Sequence, residues 1–389
     1  MEMFRRTFAE INLDHLSHNF FEIKKLGGDN RFICPMVKAN AYGHGDIVVA
    51  KHLDHLGASH LGVCLIEEGL MLRNEGLKSK ILVFRGFDKQ GAQKIFDAQM
   101  TPVVSTWDQI TALESVADEP IKVHVKFNTG MNRLGFAPQE AEKLRTYFKT
   151  SKKLKLKAVL SHFYLGEDAV QTNGHSAAQA KLMTEIHSYF KDEDVWAHLL
   201  NSGGIASLAE PEVKNNPDHF LNKTNWGFRP GLMLYGYSPS ETLKSMNLKP
   251  VMTFKSVVNN IRQMNVGETV SYGATWKADK ASTIAVVPVG YADGVHRLLS
   301  NRGKFLFAGK EVPIVGRICM DFLMLDVTAV VQSSGLKKFT EEEVILFGYD
   351  QAGNFLSAEV TAKAAETITW EVLTAVGERV PRHYKGGQS

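Results

Sequence analysis

Several residues that could do chemistry stand directly after short apolar runs. Lys38 ends the run 32–37 and opens Ala39-Asn40-Ala41-Tyr42-Gly43-His44-Gly45. A lysine at the end of an apolar strand is poorly placed for solubility alone. Held partly out of water, its amine can attack a carbonyl and form a Schiff base. The plainer reading is a surface lysine at a strand end. Asn201-Ser202-Gly203-Gly204 follows the run 197–201, and Arg229-Pro230-Gly231 ends the run 225–229. Glycines let backbone N–H groups approach a phosphate, and Ser202 adds a hydroxyl at a helix start. Either segment alone reads as a turn; together they describe a phosphate cradle. Arg133, in segment 126–135, can clamp a carboxylate with two parallel hydrogen bonds. His162 closes the run 157–162, where a lone histidine is more often a structural hydrogen-bonder than a catalyst. His52, His55 and His60 match no metal-ligand spacing and lack a carboxylate set, so no metal site is expected.

The elements that must position these residues alternate. Apolar runs at 32–37, 61–65, 81–84, 102–105, 122–127, 157–162, 197–201 and 225–229 are separated by stretches with helical spacing. In 177–190, for example, Leu182, Ile186 and Phe190 share one face. Eight strand–helix units in sequence predict a (β/α)8 TIM-type barrel, whose chemistry gathers at the C-terminal ends of the strands. After about residue 245 the texture changes. Runs at 252–258, 269–272, 283–289, 304–307, 312–318, 323–327 and 344–347 follow one another without long helices, punctuated by glycines. They predict a mostly antiparallel β domain, closed by a helical stretch over 357–378. The expected division is 1–245 for the barrel and 246–389 for the β domain.

Composition narrows the class. At 389 residues, two domains are the natural expectation. The 45 basic and 42 acidic residues nearly balance, giving no electrostatic case for a nucleic-acid or membrane partner. Cys34, Cys64 and Cys319 are far apart and suggest neither disulfides nor a thiolate metal site. No apolar run is long enough to span a membrane, and residues 1–12 lack the apolar core of a signal peptide. A cytoplasmic location is the expectation.

The motifs now combine. VKANAYGHG, GMNRLGF, SHF, LLNSGG, FRPGLMLYG, VSYGATW, VGYADG, GRICMD and ERVPR resemble, in this order, segments of bacterial alanine racemases over nearly the whole chain. The resemblance implies a fold-type III pyridoxal 5'-phosphate (PLP) enzyme with a barrel followed by a β domain. It implies a homodimer with shared active sites that interconverts L- and D-alanine by a two-base mechanism, supplying D-alanine for peptidoglycan. On this resemblance Lys38 carries PLP, and Tyr272, contributed by the other subunit, is the second catalytic group. Arg229 faces the pyridine nitrogen, and His162 links that arginine to the tyrosine. Tyr42, Ser202 and Gly231 contact the phosphate. Arg133 and Met320, the latter again from the other subunit, hold the substrate carboxylate. Lys126 stands where many members have a carbamylated lysine that orients the arginine.

The chain also departs from the pattern. Trp370 stands where many members have tyrosine, and Val295-His296-Arg297 replaces the common Tyr-Pro-Arg; both places lie near the substrate entrance. A racemase of broader specificity is therefore an alternative. Two rivals differ in class. A decarboxylase of the same fold places an acidic residue opposite the pyridine nitrogen, where this chain has Arg229. A non-catalytic PLP-binding protein would lack the second domain that carries Tyr272.

Overall fold

In the computed structural model of the chain, residues 5–28, 31–191, 194–334 and 341–387 are described. The first four residues, part of the stretch read for a signal peptide, lie outside them. The chain forms two compact units, and each is described by itself. One comprises Leu16–Ala41 and Asp46–Lys249; the other comprises Met1–His15, Tyr42–Gly45 and Pro250–Ser389.

The first unit is the barrel. Its seven parallel strands neighbour one another in chain order: His60–Val63, Lys80–Val83, Thr101–Val104, Ile121–Lys126, Leu154–Leu160, Trp196–Leu200 and Gly227–Phe228. Helices such as Ile66–Asn74, Trp107–Val116 and His175–Ser188 connect them. The strands are rich in Val, Ile and Leu because both faces of a parallel sheet are covered. The eighth run, 32–37, is not a regular strand. It makes two isolated parallel bridges, Ile33 with Phe228 and Met36 with Gly62, which link the last strand to the first. Pro35 supplies no backbone N–H, so pairing is confined to its neighbours. Cys34 N–H donates to Phe228 O and Val37 N–H to Gly62 O, each at 2.9 Å.

The second unit is mostly antiparallel. One sheet runs Lys310–Pro313, Lys304–Phe307, Glu343–Tyr349, Met252–Val257, Phe8–Asn12 and Arg382–Lys385, with Phe355–Leu356 beside it. The smaller sheet is Asn260–Met264, Ser282–Val287 and Leu323–Asp326. The N-terminal strand Phe8–Asn12 pairs with Met252–Val257 and Arg382–Lys385, although the sequence division places residues 1–12 with the barrel. The single helical stretch expected over 357–378 is two helices, Ala358–Ala364 and Thr369–Thr374, separated where Glu366 turns left-handed with φ 52°.

Candidate active site

Lys38 opens a turn with unusual backbone. Ala39, Asn40, Ala41 and Tyr42 have φ of 52°, 54°, 51° and 54°, a left-handed turn without a glycine. Such a conformation costs roughly 1–2 kcal/mol per residue and persists only where surroundings enforce it. Ala39 N–H donates to Glu68 Oε1 at 2.7 Å, Asp46 N–H to Asn40 Oδ1 at 3.0 Å, and Ala41 N–H to Val37 O at 3.0 Å. The other oxygen of Glu68 accepts from Cys64 and Leu65 N–H, so one carboxylate ties the Lys38 turn to the start of the helix Ile66–Asn74. Tyr42 is buried, and burial holds its phenol above the ordinary value.

Arg229 leaves the end of strand Gly227–Phe228 and is buried at 5% exposure. Its Nη1 lies 2.7 Å from His198 Nδ1 and donates to His198 O at 2.8 Å. Its Nη2 donates to Ser161 O at 2.5 Å and lies 3.3 Å from His162 Nδ1. Nε–H is left without a protein acceptor among the described residues. Among the described residues no carboxylate pairs with this guanidinium; burial lowers its pKa to about 10, still cationic at neutral pH. Lys126, at the end of Ile121–Lys126, is pushed down to about 8 by burial and then by the charges of Arg229, Arg133 and Lys38. Burial and the same cations, with Lys126, hold His162 well below the ordinary histidine range. Arg133 is exposed on a loop shaped by Asn128, whose Oδ1 accepts from Gly130 and Asn132 N–H. Arg229, Arg133 and Lys38 thus act on both Lys126 and His162, no carboxylate is among the groups acting on either, and only Cys64 opposes them, at Lys126. Such a cluster suits an anionic ligand.

Ser202 begins the helix Ser202–Ala209, capped by Asn201 Oδ1, which accepts from Gly204 N–H at 3.1 Å. The Ser202 hydroxyl accepts from Gly231 N–H at 3.1 Å and from Met233 N–H at 3.5 Å, joining the two glycine turns. Its own O–H proton has no protein acceptor among the described residues. Gly203 has a second reason to be glycine: a Cβ there would stand 2.6 Å from the Gly166 backbone. These features fit PLP on three counts. Ser202 has a donor free for a phosphate, Arg229 a donor free for a pyridine nitrogen, and Lys38 stands at the barrel's strand ends.

On the β unit, Tyr272 is 70% exposed and Met320 53% exposed. Ser271 precedes Tyr272 with φ 65°, and its hydroxyl donates to Arg317 O at 2.6 Å. Tyr291 and Ala292 N–H donate to Cys319 O and Met320 O, each at 3.1 Å. The close approach requires Gly290, whose Cβ would lie 2.3 Å from both carbonyl oxygens. Asp293 anchors this turn. It is fully buried, accepts from Gly290 N–H at 2.9 Å, and pairs with Arg5 at 2.7 Å and Arg379 at 2.6 Å. Trp370 is partly exposed, whereas Val295 is buried at 5% exposure.

Two family models match the chain in succession. The family model for the alanine racemase N-terminal domain matches residues 11–239, and that for the C-terminal domain matches residues 251–384. The chain belongs to the alanine racemase family. It is a PLP-dependent isomerase that interconverts L- and D-alanine. The alanine racemase of Halothermothrix orenii is 34% identical, the match covering 98% of this chain and 97% of that protein. The alanine racemase of Desulfosudis oleivorans is 36% identical, with coverage of 98% and 97%. Among solved structures, the Clostridium difficile alanine racemase superposes with a TM-score of 0.86 at 31% identity, covering 99% of this chain and 97% of that one. An alanine racemase from Bartonella henselae with covalently bound pyridoxal phosphate gives 0.83 at 27% identity, with coverage of 98% and 99%. Family membership sets aside the decarboxylase and the non-catalytic reading.

The geometry brings Arg229 to His162, and Ser202 to Gly231. Three contributors escape sequence reading: Glu68, His198 and Asp293. Glu68 carries a weak signal, an acid in the first turn of a helix. His198 lies inside an expected strand, and Asp293 inside a glycine turn. Nothing local marks either.

Proposed function

We propose that Lys38 and Tyr272 are the two acid/base groups of alanine racemization, acting from opposite faces of Cα, with Tyr272 supplied by a second copy of the chain. The single observation that carries the reading is Arg229. It is a buried guanidinium held by neutral acceptors, with one N–H left over. A guanidinium does not readily give up a proton, so it can face a ring nitrogen without protonating it. PLP, when bound, supplies an electron sink for the charge left at Cα. By leaving the ring nitrogen unprotonated, Arg229 would keep that sink weaker and so favour return of the proton to Cα over transamination.

The remaining roles follow from position. Lys38 holds the cofactor and moves a proton on one face. Tyr42, Ser202 and Gly231 hold the phosphate. Arg133 and Met320 of the partner subunit hold the substrate carboxylate. The lowered Lys126 amine supports a carbamylated lysine orienting Arg133, since carbon dioxide reacts with the free amine. His162 bridges Arg229 and the tyrosine. The exposure of Tyr272 and Met320 supports a homodimer with composite sites. Among the described residues no helix is long and apolar enough to cross a membrane. We place the enzyme in the cytoplasm, supplying D-alanine for peptidoglycan. Incubation with L-alanine tests the reaction. Optical rotation should decay to zero without release of carbon dioxide and with only trace keto acid. Stoichiometric carbon dioxide or keto acid would overturn it.

A further inference from the structure

Below Arg229 the barrel interior holds a column of histidines that the reaction does not itself require. His198 Nε2 lies 3.0 Å from His124 Nδ1, and both rings are buried. They come from strands Trp196–Leu200 and Ile121–Lys126, which flank Leu154–Leu160. Ala158 of that middle strand pairs with His124, and a small side chain there leaves room for the two rings to meet. Phe32, His60 and Trp196 pack around the pair, with ring centroids 4.7 to 6.0 Å apart.

The hydrogen bonds have one consistent direction. Arginine only donates, so His198 Nδ1 must present a lone pair to Arg229 Nη1. Neutral His198 then carries its proton on Nε2 and donates it to His124 Nδ1. His124 in turn carries its proton on Nε2. Both rings stay neutral. Burial first, and then the charges of Arg229, Lys80 and neighbouring histidines, disfavour protonation; Cys34, the other titratable group acting on Arg229, is held as a thiol by burial.

A carboxylate would orient the guanidinium equally well but would neutralise it. A neutral acceptor chain fixes the plane of Arg229 and leaves its charge for the ring nitrogen. We propose that His124, acting through His198, is a positioning residue that locks the tautomer of His198 and thereby aims Arg229 Nε–H at the cofactor ring. Without His124 the buried His198 N–H loses its acceptor. His198 can then recover one only by turning, which withdraws the lone pair from Arg229. The inference rests on the assignment of Arg229 to the pyridine nitrogen.

The test uses the holoenzyme. In protein labelled with 15N-histidine, His198 should show an unprotonated Nδ1 and a protonated Nε2. His124→Phe should change the His198 pattern and shift the visible band of bound cofactor. Its kcat should fall about tenfold, the scale of one hydrogen bond to a charged group. Keto acid formed per racemization should rise severalfold. His124→Asn, whose Oδ1 can stand near the Nδ1 position, should restore band and product ratio. A protonated Nδ1 on His198 in the unaltered enzyme overturns the proposal, and this measurement needs no variant to fold. So does a His124→Phe enzyme with unchanged band and product ratio while Arg229→Gln alters both. If Arg229→Gln alters neither, the assignment of Arg229 itself has failed.

Discussion

Asp293 is completely buried and receives Arg379 Nε on one carboxylate oxygen at 2.6 Å and Arg5 on the other at 2.7 Å. Arg379 also reaches Asp321 at 2.5 Å, next to Met320. Three motifs that look independent in sequence, VGYADG, GRICMD and ERVPR, are thus joined through Arg379, which bridges Asp293 and Asp321. Replacing Asp293 by Asn keeps the shape but removes the charge that two arginines address. Both arginines are partly exposed, which screens part of the loss. The expected cost is roughly 1.5–3 kcal/mol in urea unfolding, with KM for alanine raised through displacement of the Met320 segment. An unchanged urea midpoint would show that Asp293 anchors nothing.

Lys38 should be the lysine that carries PLP. The purified protein should be yellow, as imines of PLP are. Borohydride reduction followed by peptide mapping should place the label on Lys38, and a label on any other lysine ends the assignment.

Activity should require two chains. Lys38→Ala and Tyr272→Phe proteins, each inactive, should regain activity when mixed under exchange conditions, because a two-fold heterodimer contains one intact site. Absence of recovery, with subunit exchange demonstrated, would mean that both residues act within one chain.

Tyr272→Phe should separate the two faces. Loss of a positioned general base commonly costs about 10²–10⁴ in rate, and racemization in both directions should fall by that order. In deuterated water the variant should still exchange the α-proton of D-alanine through Lys38 with retention. Exchange of L-alanine should be far slower. Equal exchange of both enantiomers would refute the assignment.

The buried histidines should make the fold acid-sensitive. Burial first, then nearby positive charge, pushes His60 down to about 4 and His124 to about 3. Unfolded, each titrates near 6.5. Between those values the unfolded chain binds protons that the folded chain refuses, so stability falls as pH drops below about 6.5. The slope approaches about 1.4 kcal/mol per pH unit for each histidine. Urea midpoints at pH 7, 6 and 5 should decline, and His60→Phe should flatten the decline. A flat wild-type profile over this range would contradict the argument.

Much of the site is legible in the sequence because a barrel advertises its strand ends. Strands buried on both faces read as apolar runs, and a charged or glycine-rich segment where such a run stops is conspicuous. Lys38, Ser202, Arg229 and His162 are visible for that reason. The left-handed turn from Ala39 to Tyr42 is not, since Ala-Asn-Ala-Tyr carries no glycine signal and its conformation is enforced by Glu68 and Asp46. His124 and His198 lie 74 residues apart, and each is unremarkable inside its own strand.

The sequence by itself determined the order of strands and helices, the change of texture near residue 245, and the motifs that name the family. These depend on local periodicity and on residues read in order. Only the tertiary structure decided that Phe8–Asn12 joins strands more than 200 residues away, that the segment around Pro35 links the barrel's last strand to its first by two bridges alone, and that Arg229 is held by neutral histidines rather than by an acid. Each is a pairing between distant segments. Its free energy comes from burial and hydrogen bonds that exist only once the segments meet, so no local pattern encodes it.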